Sequence, residues 1–369
     1  MQTEETKKKG YFMAELMNEW LSRVLPNSQA VYLALILVVG FLLIYFLSDL
    51  LMPVLASVVL AYLLEGIVTV LQKKGFKRPL AVFLVFIFFM TVLCVTLFVF
   101  MPLLYQQTLQ LIEQLPGMMG RAQVEIMRLP EMYPKHVTEN QIKGIMFAIR
   151  SGLIDYGQKL LSLSASSFVG LVSAMIYLIL VPVLIFFFLK DKENIVDWLD
   201  QFLPRERYLS IQVWREVDMQ IGNYVRGKFV EVFILGVASF IVFSWMGLKY
   251  PLLLAVFMGL SVIIPYLGAT LVTFPVLLVA YFQWGISDTF WYIVVAYAII
   301  QAIDGVVLVP LLFSEAVNLH PIAIIVSILF FGGLWGFWGV FFAIPLATLV
   351  KAVLTAWPRV GSKKVESPY

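Results

Sequence analysis

Charged side chains are scarce in this sequence. Asp, Glu, Lys and Arg make up 13% of its 369 residues and apolar residues 61%, against roughly 25% and 45–50% in a soluble domain. A water-soluble fold of this size has no interior large enough for that much apolar surface, so a lipid bilayer must supply much of the surroundings. Cysteine is nearly missing too: the single thiol, Cys94, lies in an apolar run and cannot form an intrachain disulfide. Histidine is limited to His136 and His320. Neither has a second ligand at helical spacing, so no metal is expected. The net charge is +3 and no basic block exceeds the three lysines at 7–9, which gives no reason to invoke nucleic acid. The chain has no His-Glu-x-x-His, Gly-x-Gly-Asp or Gly-x-Ser-x-Gly motif, and no phosphate loop of the Gly-x-x-x-x-Gly-Lys-Ser/Thr type. These absences argue against an intramembrane enzyme, and an ATP-driven pump would need a separate subunit. No cofactor is expected. The first 27 residues mix Glu4, Glu5, Lys7, Glu15, Glu19 and Arg23 and lack a short apolar core with a cleavage site, so they do not read as a cleaved signal peptide.

What is abundant is long apolar runs. A helix needs roughly 20 apolar residues to cross the hydrocarbon core. The runs predict an all-α, polytopic fold with about six full spans, at 30–48, 51–71, 80–101, 166–189, 229–247 and 289–310. Each is apolar around the whole helix. The turn 72–79 gathers Lys73, Lys74, Lys77 and Arg78 without an acid, and short loops rich in Lys and Arg stay cytoplasmic. Counting spans from that turn places both termini in the cytoplasm, 102–165 outside and 190–228 inside. The 311–320 connection fits this scheme poorly, since it should be cytoplasmic yet holds Glu315 and no Lys or Arg.

Neither of the two long connections reads as a span. In 102–165, Ile142, Ile145, Met146, Ile149, Leu153, Tyr156 and Leu160 share one helical face, and Pro116 is placed to open a second helix. This segment predicts a small helical cap on the membrane domain, with partner binding or gating as the alternative. Residues 190–228 carry seven basic and seven acidic side chains around two apolar stripes separated by Pro204. They predict a solvated helix pair and the best domain boundary. The expected organisation is therefore a cytoplasmic 1–29 with an amphipathic helix, spans over 30–101, the outer segment 102–165, a span at 166–189, the inner helices 190–228, a transport domain over 229–357 and a cytoplasmic tail, 358–369.

Two apolar stretches in the transport domain have an unusual shape. Residues 252–283 are too long for one span and are cut by Pro265, Tyr266 and Gly268; residues 322–356 are cut by Gly332, Gly333, Gly336 and Gly339. The pieces on either side of each cut are short for a crossing, which predicts two re-entrant helical hairpins. Each hairpin follows a full span and starts with proline. Pro251 and Pro321 are 70 residues apart, as are Pro275 and Pro345, and Glu231 and Gln301. A unit of span plus hairpin reverses direction once, so the second copy would be inverted. Inverted repeats with broken helices point to a transporter's binding site. Freed backbone N–H and C=O groups are tolerated at membrane depth only where protein or a water-filled cavity satisfies them. Pro265, Tyr266, Gly268, Gln301, Gly332, Gly333 and Gly336 are therefore the expected substrate pathway. The competing reading is that the glycines only allow close helix packing.

Charges inside spans are the second pointer. One at mid-bilayer costs roughly 2.5–3.5 kcal/mol on insertion scales and seldom persists without a use. Glu231 and Asp304 are the expected proton- or ion-coupling groups, because a poorly solvated carboxylate holds its proton more readily. The alternative is ion pairing of these carboxylates with Arg226 or Lys228 at the membrane surface. Glu65 reads as structural, and Asp49 as less buried. Trp335 and Trp338 could stack on a solute, but aromatics near helix breaks more often pack or anchor.

Four segments in order carry a family resemblance: the run from Pro53 to the basic turn, Pro-Val-Leu-Ile-Phe-Phe-Phe-Leu-Lys-Asp-Lys at 182–192, Ile-Pro-Tyr-Leu-Gly at 264–268, and Gln-Ala-Ile-Asp-Gly at 301–305 leading through Pro310 and Pro321 to the glycines at 332–336. From about residue 30 to 356 the chain resembles the autoinducer-2 exporter family. The resemblance implies a multi-pass transporter of the bacterial inner membrane, assembled as a homo-oligomer. It implies either export of the furanone-type signal autoinducer-2 or sodium(lithium)/proton antiport. It also implies that the 264–268 turn and the Gln301/Asp304 region line the pathway. The chain departs from the family after Gly227, where glutamine is common and this sequence has Lys228.

Together these features predict a secondary transporter of a small polar solute, driven by protons or sodium, with the hairpin-bearing half moving against the first four spans. A channel would need small or polar residues along whole spans, and the first four are uniformly apolar. A membrane scaffold that transports nothing is the other reading. The expected partners are the lipid bilayer, the solute and its coupling ion.

Overall fold

The computed structural model describes residues 28–127, 144, 168–201, 208–265, 267–313 and 319–357. The N-terminal segment before residue 28, the stripe over 142–160, Pro204, Tyr266, Glu315 and the tail 358–369 lie outside them. Among the described residues every regular element is a helix. In chain order they are α1 (Ser28–Phe46), α2 (Ser48–Lys73), α3 (Arg78–Val95), a π-helical turn (Thr96–Phe100), α4 (Met101–Met127), α5 (Phe168–Lys190), α6 (Lys192–Asp200), α7 (Tyr208–Trp245), α8 (Pro251–Ser261), α9 (Leu267–Trp284), α10 (Asp288–Ile303), a second π-helical turn (Asp304–Leu308), α11 (Val309–Phe313) and α12 (Pro321–Ala356).

Six described helices are long and apolar enough to cross a membrane: Leu50–Lys73, Arg78–Met118, Ile211–Trp245, Leu267–Trp284, Asp288–Phe313 and Pro321–Ala356. The set shares four of the six expected spans, lacks those expected at 30–48 and 166–189, and adds two helices expected as parts of the hairpins. The second arm of the first hairpin, α9, is itself of spanning length. The last helix is apolar throughout yet changes direction at Gly336, whose φ of 58° and ψ of −132° are not helical. Helices α1 and α5 have 19 and 23 residues, a length that also suits a crossing.

The π-turn joins α3 to α4 without a break, so the helix runs from Arg78 to Met127, about 75 Å at 1.5 Å per residue. A hydrocarbon core is only about 30 Å thick, so α4 extends well beyond span three. Pro116 lies inside α4 and does not open a second helix as the sequence suggested. Its fixed φ suits the helix, and once a helix is running the loss of one hydrogen bond need not stop it. Likewise α7 passes through residue 228 as one 38-residue helix. It contains no proline, and Gly222 and Gly227 each cost only about 1 kcal/mol in a helix.

The chain forms two compact units, 56–190 with 228–311, and 1–55 with 191–227 and 312–369. In the first, Ala61, Leu64 and Val68 of α2 pack with Ala81, Val82 and Val85 of α3 and with Ile185 and Leu189 of α5. Arg78 clamps the end of this bundle. Its guanidinium donates to both carboxylate oxygens of Glu65, at 3.0 and 3.3 Å, and to the Leu189 carbonyl at 2.9 Å. Glu65 is thus structural, as its position suggested, through Arg78 and not through the closer-spaced Lys73. In the second unit Leu33 of α1, Val213 and Val217 of α7 and Ala352 of α12 form the core.

Candidate functional site

The first hairpin is α8, a turn over 262–266 and α9. Proline at the first position of α8 suits a helix start, where its missing N–H costs nothing. Tyr250 before it takes left-handed φ. The N–H of Leu253, one of the donors a helix start leaves open, is capped by Gln107 Oε1 of α4 at 2.9 Å. Gln283, at the far end of α9, accepts from the Lys249 N–H and donates to the Gly247 carbonyl, both at 2.8 Å. The two ends of the hairpin are therefore stitched together. At the other end the arms come so close that a Cβ on Gly268 would collide with the Ser261 backbone. Along its length α8 lies against α7, where Gly259 and Gly236 meet backbone to backbone, the close approach that small residues allow.

This path carries the turn back to the charged positions of α7. Lys228 and Glu231 are buried, at 6% and 1% exposure. Their side chains pair at 2.7 Å, and the Lys228 ammonium also donates to the Val262 carbonyl at 2.8 Å. Val262 follows the last residue of α8, so its carbonyl is among those a helix end leaves without an intrahelical partner. Asp304 enters from α10. It opens the second π-turn, a feature that re-aims side chains and recurs at functional sites. Its carboxyl lies within hydrogen-bonding reach of Glu231 and within the field of Lys228, while Asp304 Oδ1 is buried with no hydrogen-bond partner. One ammonium bonds a carboxylate and a broken-helix carbonyl, and a second carboxyl lies beside the first.

A second polar cluster ties the hairpin to α10. Gln301 donates to the Tyr297 hydroxyl at 2.7 Å and stands 3.8 Å from Met258 Sδ. Tyr297 reaches the Ala269 carbonyl at 3.0 Å and Thr273 Oγ1 at 2.7 Å.

The expected coupling groups Glu231 and Asp304 and the expected pathway residues Gln301, Pro265 and Gly268 belong to this one unit, at or beside the first turn, with Gly268 serving the close approach of the arms. Tyr266 lies outside the described residues. Gly332, Gly333 and Gly336 belong to the second hairpin, in the other unit. There Gly336 makes the reversal, a Cβ on Gly332 would press on Val340 at 2.8 Å, and a Cβ on Gly339 would collide with the Phe331 backbone. Gly333 has open space around it. In both hairpins a glycine of the second arm, Gly268 or Gly339, presses on backbone of the first arm. Residues 261 and 331, the backbone partners of the two pressed glycines, are again 70 apart. Trp335 stacks on Phe331 at 5.8 Å and meets Phe41 at 5.4 Å; Trp338 stacks on Phe342 at 6.2 Å. Both tryptophans pack.

Sequence reading registered Lys228 as a possible partner at the membrane surface and as a departure from the family pattern, and it missed Tyr297, Thr273 and Gln107. The i,i+3 spacing of Lys228 and Glu231 and the i,i+4 spacing of Tyr297 and Gln301 were available signals. The hairpin partners were not.

The family model described as AI-2E family transporter matches residues 34–359. PerM of Escherichia coli (strain K12), which bears the designation permease, is 47% identical over 346 residues, 94% of this chain and 98% of its own length. YueF of Bacillus subtilis (strain 168), designated a transport protein, is 28% identical over 314 residues, 84% of each chain. A transport protein of Thermotoga maritima is 24% identical over 332 residues, 89% of this chain and 94% of its own. With broken apolar hairpins, buried charge at one of them and a match over nearly its whole length, this multi-pass membrane chain belongs to the AI-2E family of transporters.

Proposed function

We propose that the protein is a secondary active transporter of the bacterial inner membrane, moving a small polar solute of the autoinducer-2 kind, with Glu231 and Asp304 as its coupling groups. The observation that carries the reading is the buried meeting of two carboxyls and an ammonium at the carbonyl end of a broken helix. With both carboxyls ionised the cluster holds one negative charge in excess; one proton makes it neutral. Such a change in a poorly solvated place alters what the turn can hold, and broken helices at matching positions of a repeat are where transporters bind solute and ion. The recurring 70-residue spacing supports a duplicated span-plus-hairpin unit, inverted in the second copy, and the family resemblance supports a homo-oligomer.

Reconstitution into liposomes loaded with a pH-sensitive dye tests the proposal. A solute gradient should drive proton movement that saturates with solute and is lost in Asp304→Asn and Glu231→Gln. Proton movement driven by sodium alone would make the chain a sodium/proton antiporter instead. Flux without saturation would make it a channel, and silence toward every solute would leave a scaffold.

A further inference from the structure

The oxygens around the Lys228 ammonium are those that bind an alkali cation. Glu231 supplies a carboxylate oxygen at 2.7 Å and Val262 a backbone carbonyl at 2.8 Å. The Asp304 carboxyl lies beside that of Glu231 and has a buried oxygen without a hydrogen-bond partner. Hard cations prefer such oxygen ligands, and in broken-helix transporters the carbonyl ends of half-helices, together with unwound backbone, coordinate sodium. An ammonium offers the same charge with fixed donors, but here it is tethered to the chain and cannot leave. The neighbouring cation on α7, Arg226, is exposed and donates to Asn223 Oδ1 at 3.2 Å. Helices α8 and α9 contain no charged residue, and α10 contributes only Asp288, at its far end.

We infer that Lys228 is the resident cation of this seat, filling the position of a free alkali ion, so that the site excludes sodium and transport is coupled to protons alone. This rests on Glu231 and Asp304 being the coupling groups, but occupancy of the seat can be read without any transport. Exclusion follows from geometry. While the ammonium holds Glu231 and the Val262 carbonyl, a sodium ion would find only the Asp304 carboxyl, beside a fixed positive charge. Removing the ammonium leaves the Glu231 carboxylate and the Val262 carbonyl without their shared donor, with the Asp304 carboxyl beside Glu231.

The test is thermal unfolding of the purified full chain in detergent, with sodium chloride against choline chloride at equal ionic strength. The native protein and Lys228→Arg should show no sodium-specific shift. Lys228→Gln should gain a sodium-specific rise in Tm of about 2–4 °C once sodium exceeds its dissociation constant about tenfold, and adding Asp304→Asn should abolish the gain. A sodium-specific rise in the native protein that Glu231→Gln removes would overturn the inference, as would a folded Lys228→Gln that ignores sodium. Should Lys228→Gln fail to fold, the native protein still decides. Its solute-driven proton flux in liposomes should be the same in sodium and in choline, and a requirement for sodium refutes exclusion. Loss of coupling in none of the carboxyl variants would instead refute the proposed function while leaving the unfolding result standing.

Discussion

The Lys228–Glu231 pair is nearly free of solvent, so its energetics differ from those of a surface pair. Removing one partner leaves the other buried and uncompensated, a loss of about 3–5 kcal/mol, while replacing both with apolar residues of similar volume is often neutral. Glu231→Leu and Lys228→Met should each lower the Tm in choline buffer, and the double variant should recover most of the loss; a double-mutant cycle measures the coupling. Tyr297 is a smaller test. Tyr297→Phe removes the hydroxyl shared by Gln301, Thr273 and the Ala269 carbonyl. It should cost about 1–3 kcal/mol, measured by the same unfolding. Glu231 and Asp304 were recognisable in the sequence because charge is costly in an apolar run. Thr273 was not, because a hydroxyl in an apolar run carries no such signal, and Tyr297 offered only its i,i+4 spacing to Gln301.

Among the elements, the two hairpins share a construction: proline opens the first arm, a break reverses the chain, and a glycine in the second arm presses on the backbone of the first. Gly268→Ala and Gly339→Ala place a methyl group where a backbone already is. Overpacking of this kind costs typically 1–3 kcal/mol and sometimes more, and since backbone is what must yield, we expect losses of at least about 3 kcal/mol. Gly333→Ala meets nothing and should stay within about 0.5 kcal/mol. Thermal unfolding of the three variants separates a packing glycine from one that is merely nearby. The hairpins were legible because Pro251, Pro265, Pro321 and the glycines at 332–339 interrupt apolar runs too long for one span and too short for two. The course of α4 and α7 was not legible. Pro116 and the glycines of α7 look like breaks locally, but each helix continues because propagation adds a hydrogen bond for every residue fixed.

For the whole molecule the question is which side of the membrane each segment meets. The bonds of Gln283 to Gly247 and Lys249 hold the two ends of the first hairpin together, and α8 has only 11 residues, short of the roughly 20 a crossing needs. Both ends should therefore emerge on one face. Cys94 is exposed and is the only native thiol, so Cys94→Ala gives a clean background. In it, Lys249→Cys and Asp288→Cys should react with an impermeant thiol reagent from the same side, and Lys363→Cys from the opposite side. Labelling of positions 249 and 288 from different sides would mean that the first hairpin crosses fully.

The sequence by itself determined that the chain is a helical membrane protein, where its apolar runs are broken and which carboxyls lie within them. These are properties of short windows, set by transfer of side chains into lipid and by the backbone limits of proline and glycine. Only the tertiary structure decided that Lys228 is the partner of Glu231, that its ammonium reaches a carbonyl 34 residues away, and that Asp304 joins them. Those contacts depend on how far α8 folds back along α7 and on where α10 passes into its π-turn, distances and angles that no window of sequence contains.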